Sequence, residues 1–230
     1  MSKFQSKINK FFDTIKFDDY RDLRKEIYHI LKTYKNSLYD YGEGYFYQSL
    51  EKINLSGLRL TKKRLETMEI DKYIKDKTIL DIGSNIGAIS LQVDQTFRSF
   101  DNVEHNISLC KIGEKISKFI NKKEINFYSE DFMKKKFIKN YDIILSLANH
   151  HTYDKGIKNT DLYFEKIFKL LKNNGILIIE SHHPKYENEE KFENIISQIL
   201  RKNFLIIKKG KYAFLNNYDH GRSFYFLQKQ

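Results

Sequence analysis

The chain has 230 residues, enough for one α/β domain with a sizeable core and a short extension. Hydrophobic residues make up 40% and charged residues 31%, as in soluble globular proteins, and no apolar run reaches the ~18 residues of a membrane span. The net charge of +11 would suit a nucleic acid or another polyanion. Because the lysines are scattered rather than gathered in one basic tract, we favour a generally lysine-rich composition instead.

The cellular location follows from two features of the sequence. The first residues are too charged for the apolar core of a signal peptide. The single cysteine, Cys110, excludes an internal disulfide, and we expect it to be a small core residue. We therefore predict a cytoplasmic protein that does not bind membranes.

The N-terminal quarter differs in pattern from the rest of the chain. In residues 1–40 apolar side chains recur three and four positions apart, which predicts helix. The tyrosine-rich segment 39–64 contains three glycines and predicts a loop or a short helix. We expect residues 1–60 to form an appendage to a domain made of residues 61–230.

From residue 77 onward, apolar strands alternate with helices. The predicted strands are 77–82, 99–106, 125–131, 141–148 and 174–182, and the predicted helices are 88–95, 108–120, 160–172 and 191–203. This alternation predicts an α/β fold with a mostly parallel sheet covered on both faces. Two further strands, 204–210 and 223–229, have no helix between them, which predicts an antiparallel hairpin at one edge.

The turn after the first predicted strand is the most distinctive stretch, "TILDIGSNIGAISL". Asp81 ends the apolar run, and Gly83 and Gly87 bracket a polar turn before a helix. Such a turn presents backbone N–H groups and a helix N-terminus to a ligand, and glycine lets the backbone approach that ligand closely. The pattern D-x-G-x-N-x-G lacks the G-x-G-x-x-G spacing of dinucleotide sites and the Gly-Lys-Ser/Thr of a P-loop.

This segment resembles motif I of the class I S-adenosylmethionine-dependent methyltransferases. In that motif an acidic residue precedes G-x-G-x-G, and here Asn85 replaces the middle glycine. The resemblance covers about residues 77–230. It implies a Rossmann-like fold, S-adenosyl-L-methionine as cofactor and S-adenosyl-L-homocysteine as product. It also implies five cofactor-binding residues in the turn: Asp81, Gly83, Ser84, Asn85 and Gly87.

Two carboxylates follow the turn in the order that the family uses. Glu104 lies 23 residues after Asp81 (104 − 81), where a carboxylate can accept two hydrogen bonds from a ribose diol. By resemblance Glu104 is the ribose ligand. The family often has an acidic residue for the adenine amino group at the position of Asp131, and Phe132 could pack on the purine face.

Histidine pairs follow the fourth and fifth strands. His150 and His151 are candidate general bases, because imidazole titrates near neutral pH. A histidine at this position is also commonly structural in the family, and both alternatives stay open. A metal site using Glu180, His182 and His183 is conceivable, but the spacing matches no metal motif and adjacent strand residues point to opposite faces. We therefore predict no metal.

Side chains for the acceptor are predicted outside the cofactor motifs. Arginine binds carboxylate or phosphate through two parallel hydrogen bonds, and tyrosine supplies a flat wall with a polar tip. We predict that Tyr47, Arg59, Arg64, His182 and Arg222 bind the substrate. The alternative is that the tyrosines pack the appendage onto the sheet and the arginines lie in solvent.

Together these features predict a methyltransferase with a helical N-terminal cap over the acceptor pocket. The acceptor is predicted to be a small polar molecule, and the sequence does not decide between an anionic and a sugar-like one. The enzyme is predicted to be a monomer or a homodimer. The chain is distantly similar to the tRNA wobble-uridine methyltransferase-like group and to small-molecule and sugar methyltransferases. An RNA methyltransferase is a less favoured alternative because no RNA-binding module is recognisable. A non-catalytic binding protein that kept the fold is another alternative.

Overall fold

The computed structural model describes residues 3–33, 46–150, 157–212 and 221–230. The helices in these ranges are α1 (Lys3–Ile15), α2 (Arg21–Thr33), α3 (Thr61–Met68), α4 (Asp71–Ile74), α5 (Ala88–Gln92), α6 (Ile107–Phe119), α7 (Ile157–Leu170) and α8 (Glu189–Leu200). The strands are β1 (Thr78–Ile82), β2 (Ser99–Val103), β3 (Ile125–Tyr128), β4 (Tyr141–Leu147), β5 (Leu171–Glu180), β6 (Phe204–Lys211) and β7 (Ser223–Lys229). None of the described helices has the length and apolar character needed to cross a bilayer.

All seven strands form one sheet in the order β3-β2-β1-β4-β5-β7-β6. Strands β1 to β5 run parallel to one another, whereas β7 runs antiparallel to both β5 and β6. The predicted Rossmann-like α/β fold, with a mostly parallel sheet and a C-terminal antiparallel pair, is confirmed. The strand order reverses between β1 and β4, and ligands of such sheets bind beyond the carboxyl ends of the strands at this point.

The central strands are apolar on both sides because both faces of the sheet are covered. Successive residues of a strand point to opposite faces. Ile79 lies in one hydrophobic core, and Leu80 lies in the other. Both are fully buried, and burial of such a side chain contributes about 1.5–3 kcal/mol. The unbroken apolar runs that predicted these strands therefore reflect two cores, one on each face.

The N-terminal helices belong to one of these cores. Leu23 and Ile27 of α2 share it with Ile112 and Ile116 of α6. The helix predicted for residues 1–40 is divided into α1 and α2 by a turn, and residues 34–40 lie outside the described part. The boundary between an appendage and a domain at residue 60 stays a prediction.

Arg24 connects this region to the segment that follows it. Its guanidinium donates to the backbone oxygens of Asp13, Lys16 and Ile53, the last at 2.8 Å, and it forms an ion pair with Asp18. A fully buried arginine satisfied in this way holds α1, α2 and the segment before α3 together.

The structure differs from the predicted elements around α3 and α4 and at the start of β5. Helices α3 and α4 had no separate prediction. In the described part of the segment before α3, residues 46–60, the chain forms the 3-10 turn Glu51–Ile53 and two isolated β-bridges. Strand β5 begins at Leu171, inside the predicted helix 160–172. Asn174, the first residue of the predicted strand 174–182, has a φ of 60° and lies within β5, where the pairing with β4 shifts register.

Candidate functional site

The glycine turn connects β1 to α5 at the switch point of the sheet. Gly83, Asn85 and Gly87 have φ values of 65°, 57° and 70°, in the left-handed region that glycine and asparagine tolerate. The Gly83 amide donates to the carbonyl oxygen of Val103 in β2 at 2.8 Å. A Cβ on Gly83 would lie 2.9 Å from Nδ2 of Asn149, so the loop after β4 lies directly against the turn. The backbone of this turn is therefore compact, and Gly83 is the exposed residue within it.

Glu104 lies directly beyond β2 and connects the turn to α6. Its two carboxylate oxygens accept hydrogen bonds from the backbone amides of Asn85 and Asn106, each at 3.0 Å. The side chain is 5% exposed, and burial raises its pKa. A carboxylate has about four acceptor positions, so Glu104 can accept further hydrogen bonds from the hydroxyls of a ribose.

Asp81 is a second buried carboxylate beside Glu104. Burial raises the pKa of Asp81 to about 7, the charge of Arg64 opposes this rise, and the charge of Glu104 adds to it. Two neighbouring buried carboxylates favour a ligand with hydroxyl donors and positive charge. S-adenosylmethionine has a ribose diol and a positively charged sulfonium, so the carboxylates of Asp81 and Glu104 fit its chemistry.

The other predicted cofactor residues lie in three different settings. Ser84 is buried within the turn. Asp131 lies beyond the end of β3, and its carboxylate accepts from the backbone amide of Met133 at 2.7 Å. Phe132 is 1% exposed, and its ring packs edge-to-face on Tyr163 with centroids 5.4 Å apart. The roles of Asp131 and Phe132 toward adenine stay predictions.

The three predicted arginines converge on Glu180 at the end of β5; we call these four residues the Glu180 cluster. Arg59 Nη2 and Arg64 Nε each donate to the Glu180 carboxylate at 2.8 Å, and Arg222 Nη1 donates at 3.3 Å. All four side chains are at most 2% exposed, so the alternative that the arginines lie in solvent is wrong.

The charges of the cluster determine the ionisation of Glu180. Burial alone would raise its pKa, but the charges of Arg59, Arg64 and Arg222 lower it to about 2. Tyr47, another predicted substrate residue, accepts a long hydrogen bond of 3.5 Å from Arg222. The segment before α3 is thereby joined to β5 and β7.

His150 forms a buried pair with Glu187, which lies just before α8. Its Nε2 is 2.8 Å from Glu187 Oε1, and the two side chains are 2% and 3% exposed. The other Glu187 oxygen accepts from the backbone amide of His182 at 2.7 Å. Burial and the charge of Arg222 lower the pKa of His182 to about 4, so its ring is neutral at pH 7. His151 lies outside the described residues.

The sequence motifs did not indicate Glu187 or Asn149 as site residues. Glu187 lies in an irregular loop 37 residues after His150, and no periodicity or motif connects the two. Asn149 directly precedes the histidine pair; its side-chain amide donates to the backbone oxygen of Ile82, and its oxygen accepts from Ser146 at 2.8 Å. Asn149 therefore fixes the position of His150 next to the glycine turn.

The described residues hold no group of three or more His, Cys, Asp or Glu side chains that could bind a metal ion. Glu180, which the sequence offered as a metal ligand, is instead engaged by the three arginines of its cluster. Cys110 is buried, and burial raises the pKa of its thiol to about 12.

The sheet order and the glycine turn define a Rossmann-like protein of the class I S-adenosylmethionine-dependent methyltransferase type. A family model described as a methyltransferase domain matches residues 74–217, more than half of the chain. The chain therefore belongs to this methyltransferase family. It is an enzyme, and its cofactor is S-adenosyl-L-methionine. No curated protein matches the chain in sequence.

Several solved structures share the fold. One is the N-methyltransferase NodS from Bradyrhizobium japonicum in complex with S-adenosyl-L-homocysteine, at 11% identity and a TM-score of 0.60, over 88% of this chain and 98% of that one. Another is magnesium protoporphyrin IX methyltransferase from Synechocystis PCC 6803 with bound SAM. It has 12% sequence identity and a TM-score of 0.57, over 98% of this chain and 92% of that one. A third is an rRNA methylase from Streptococcus thermophilus, with 8% sequence identity and a TM-score of 0.54, over 76% of this chain and 99% of that one. At these identities the likeness shows the fold alone.

Proposed function

We propose that this methyltransferase acts in the cytoplasm on a small polar acceptor, of anionic or sugar-like character. The observation that supports this most is the enclosure of the residues on the acceptor side. His150 and the three arginines of the Glu180 cluster are each at most 2% exposed. Groups enclosed to this degree do not offer an open surface on which a folded RNA could dock.

The donor half of the proposed site uses the glycine turn and the carboxylates around it. In this proposal Asp81, Ser84 and the backbone of the turn hold the methionine half, and Glu104 accepts hydrogen bonds from the ribose. Asp131 and Phe132 hold the adenine. S-adenosylmethionine supplies an electrophilic methyl group on a sulfonium, whose carbon–sulfur bond breaks as the new bond forms, the electron pair staying on sulfur.

The acceptor half lies around the ends of β4, β5 and β7. The Glu180 cluster carries three positive charges and one negative charge, which sum to +2 and favour an anionic group on the acceptor. Tyr47 and His182 adjoin this cluster through Arg222. His150 is the proposed general base, because it lies beside the glycine turn and an imidazole can accept a proton near neutral pH.

RNA is the second candidate acceptor. The net charge of +11 favours polyanion binding, and one protein of similar fold is an rRNA methylase. A non-catalytic role is disfavoured by the two glycines of the turn and the Glu104 carboxylate that faces it.

Transfer of a labelled methyl group separates the two acceptor classes. Purified protein is incubated with methyl-tritiated S-adenosylmethionine and either a bacterial small-molecule extract or total RNA from the same cells. We expect a labelled product that chromatographs apart from S-adenosylmethionine with the small-molecule extract, and no RNase-sensitive, acid-precipitable label with RNA. The reverse distribution would establish RNA as the acceptor, and the Glu104→Ala variant serves as the low-activity control in both reactions.

A further inference from the structure

We infer that Glu187 is a positioning residue that holds His150 as a proton acceptor, and that the methyl acceptor is therefore a group that must lose a proton, a hydroxyl in the first place. This inference rests on the proposed function, since it specifies the class of acceptor for the same site.

Glu187 is held in place from two sides. Its backbone amide donates to the carbonyl oxygen of His183 at 3.1 Å, which closes a turn between β5 and α8. Its Oε2 accepts from the backbone amide of His182 at 2.7 Å. With one oxygen fixed by the backbone, the other oxygen has a defined direction toward Nε2 of His150. A carboxylate placed in this way orients its partner instead of following it.

The ring of His150 is held on its face as well as at its edge. Phe192 of α8 stacks on it, with centroids 5.8 Å apart and an angle of 30° between the planes. The side-chain amide of the preceding residue, Asn149, donates a hydrogen bond to the backbone oxygen of Ile82 at the end of β1. The imidazole therefore has one orientation, next to the turn that we assign to the donor.

The ionisation of Glu187 determines which nitrogen of His150 carries the proton. Burial would raise the pKa of Glu187, but the hydrogen bond and charge of His150 and the amide of His182 lower it. An ionised carboxylate only accepts hydrogen bonds, so the Nε2 that faces it must be protonated. The neutral ring then has its lone pair on Nδ1, and Nδ1 is the atom that can accept a proton.

The charged and titratable groups described around this pair agree with such a role. The ring of His182 is neutral at pH 7, and Arg222 lies beyond it. Glu187 is a negative group in hydrogen-bonding contact with the imidazole. When His150 accepts a proton on Nδ1, the resulting imidazolium faces a carboxylate, which stabilises it.

The proton balance identifies the acceptor class. The acceptor oxygen gains the methyl carbon and loses its proton to Nδ1 of His150, which later releases the proton to water. A carboxylate or a thiolate carries no such proton and would need no base. A carboxylate-oriented imidazole contributes to the reaction only when the acceptor is protonated, as a hydroxyl is near neutral pH.

Nitrogen-15 NMR of the histidine rings tests this inference without knowledge of the acceptor. The samples are the parent, Glu187→Gln and, as the matched control, Glu189→Gln, an exposed residue two positions away that pairs with Lys211. His150 is assigned by the signal lost in His150→Gln. Glutamine can keep the bond to the His182 amide, but its NH₂ group then donates to Nε2 of His150. Spectra are taken over a pH series, with thermal unfolding and S-adenosylhomocysteine affinity measured on each sample.

We expect the neutral His150 ring to be protonated on Nε2 in the parent and in Glu189→Gln, and on Nδ1 in Glu187→Gln, with donor affinity changed less than twofold. The inference is overturned if the neutral ring of the parent is protonated on Nδ1, or if the ring stays doubly protonated at every pH. It is also overturned if the parent and Glu187→Gln have the same tautomer of His150. Failure of the parent to bind S-adenosylhomocysteine would instead overturn the proposed function, whatever the tautomer.

Discussion

Replacement of Glu180 by glutamine is expected to lower the free energy of unfolding by about 3–5 kcal/mol, the usual loss when one partner of a buried ion pair is removed. The substitution keeps the shape of the side chain but leaves Arg59, Arg64 and Arg222 around a neutral amide. All three arginines are buried, so water cannot replace the lost charge. Urea denaturation of parent and variant measures the difference.

The same carboxylate predicts a pH dependence of stability. The pKa of Glu180 is about 2 in the folded protein, below its ordinary value of 4.5. A lowered pKa means that the carboxylate contributes its full stability above about pH 4.5 and loses it as the pH falls toward 2. The parent should therefore lose stability over this range more steeply than Glu180→Gln does.

Glu165→Gln on α7 is the matched control for this prediction. Glu165 is an exposed glutamate that pairs with Lys169 one turn along the same helix, at 2.8 Å. A pair of this kind is screened by water, so its loss should leave the unfolding free energy nearly unchanged. If Glu180→Gln were no more destabilising than Glu165→Gln, the Glu180 cluster would not hold the N-terminal segment to the sheet.

Substitution of Gly87 by alanine is expected to cost about 2–5 kcal/mol of stability. The left-handed backbone contributes about 1–2 kcal/mol of this for a residue with a Cβ. Overpacking contributes about 1–3 kcal/mol more, because the new Cβ would lie 2.6 Å from the ring of Phe127. The same ring edge lies against Gly113, so it has little room to move away. Thermal unfolding measures the loss, and we expect weaker donor binding as well.

Gly221→Ala separates the two causes of the Gly87 effect. Gly221 has a φ of 72°, close to the 70° of Gly87, but among the described residues a Cβ there would meet only Pro184, at 3.3 Å. The control should therefore show the backbone strain with little overpacking. The double substitution Gly87→Ala with Phe127→Leu should recover part of the loss. Equal losses in Gly87→Ala and Gly221→Ala would show that the Phe127 ring adjusts freely.

The parallel sheet and the donor turn could be predicted because they depend on local, repeated features. A strand buried on both faces must be apolar throughout, as β1 and β4 are, and a left-handed turn requires residues such as Gly83 and Gly87. The position of Glu104 beyond the end of β2 could be anticipated because its distance along the chain from Asp81 is set by one helix and one strand. These signals are contained in short stretches of sequence.

The acceptor side could not be predicted in the same way, because its contacts join distant parts of the chain. Arg59 from the segment before α3 and Arg222 from just before β7 meet at Glu180 of β5. Glu187 reaches His150 from an irregular loop. Nothing in the local sequence distinguishes a buried, paired arginine from one in solvent. The sequence singled out three arginines that lie together in the structure, but not the carboxylate that they surround.

Calorimetric titration of S-adenosylhomocysteine into the parent and into Glu104→Ala tests the donor site most directly. The account predicts micromolar binding to the parent and a loss of about 1–3 kcal/mol of binding free energy in the variant, the usual cost of a lost charged hydrogen bond. Glu104 also accepts from the amides of Asn85 and Asn106, so both samples are first compared by thermal unfolding. Absence of binding to the folded parent, or equal affinity in both proteins, would contradict the donor site described above.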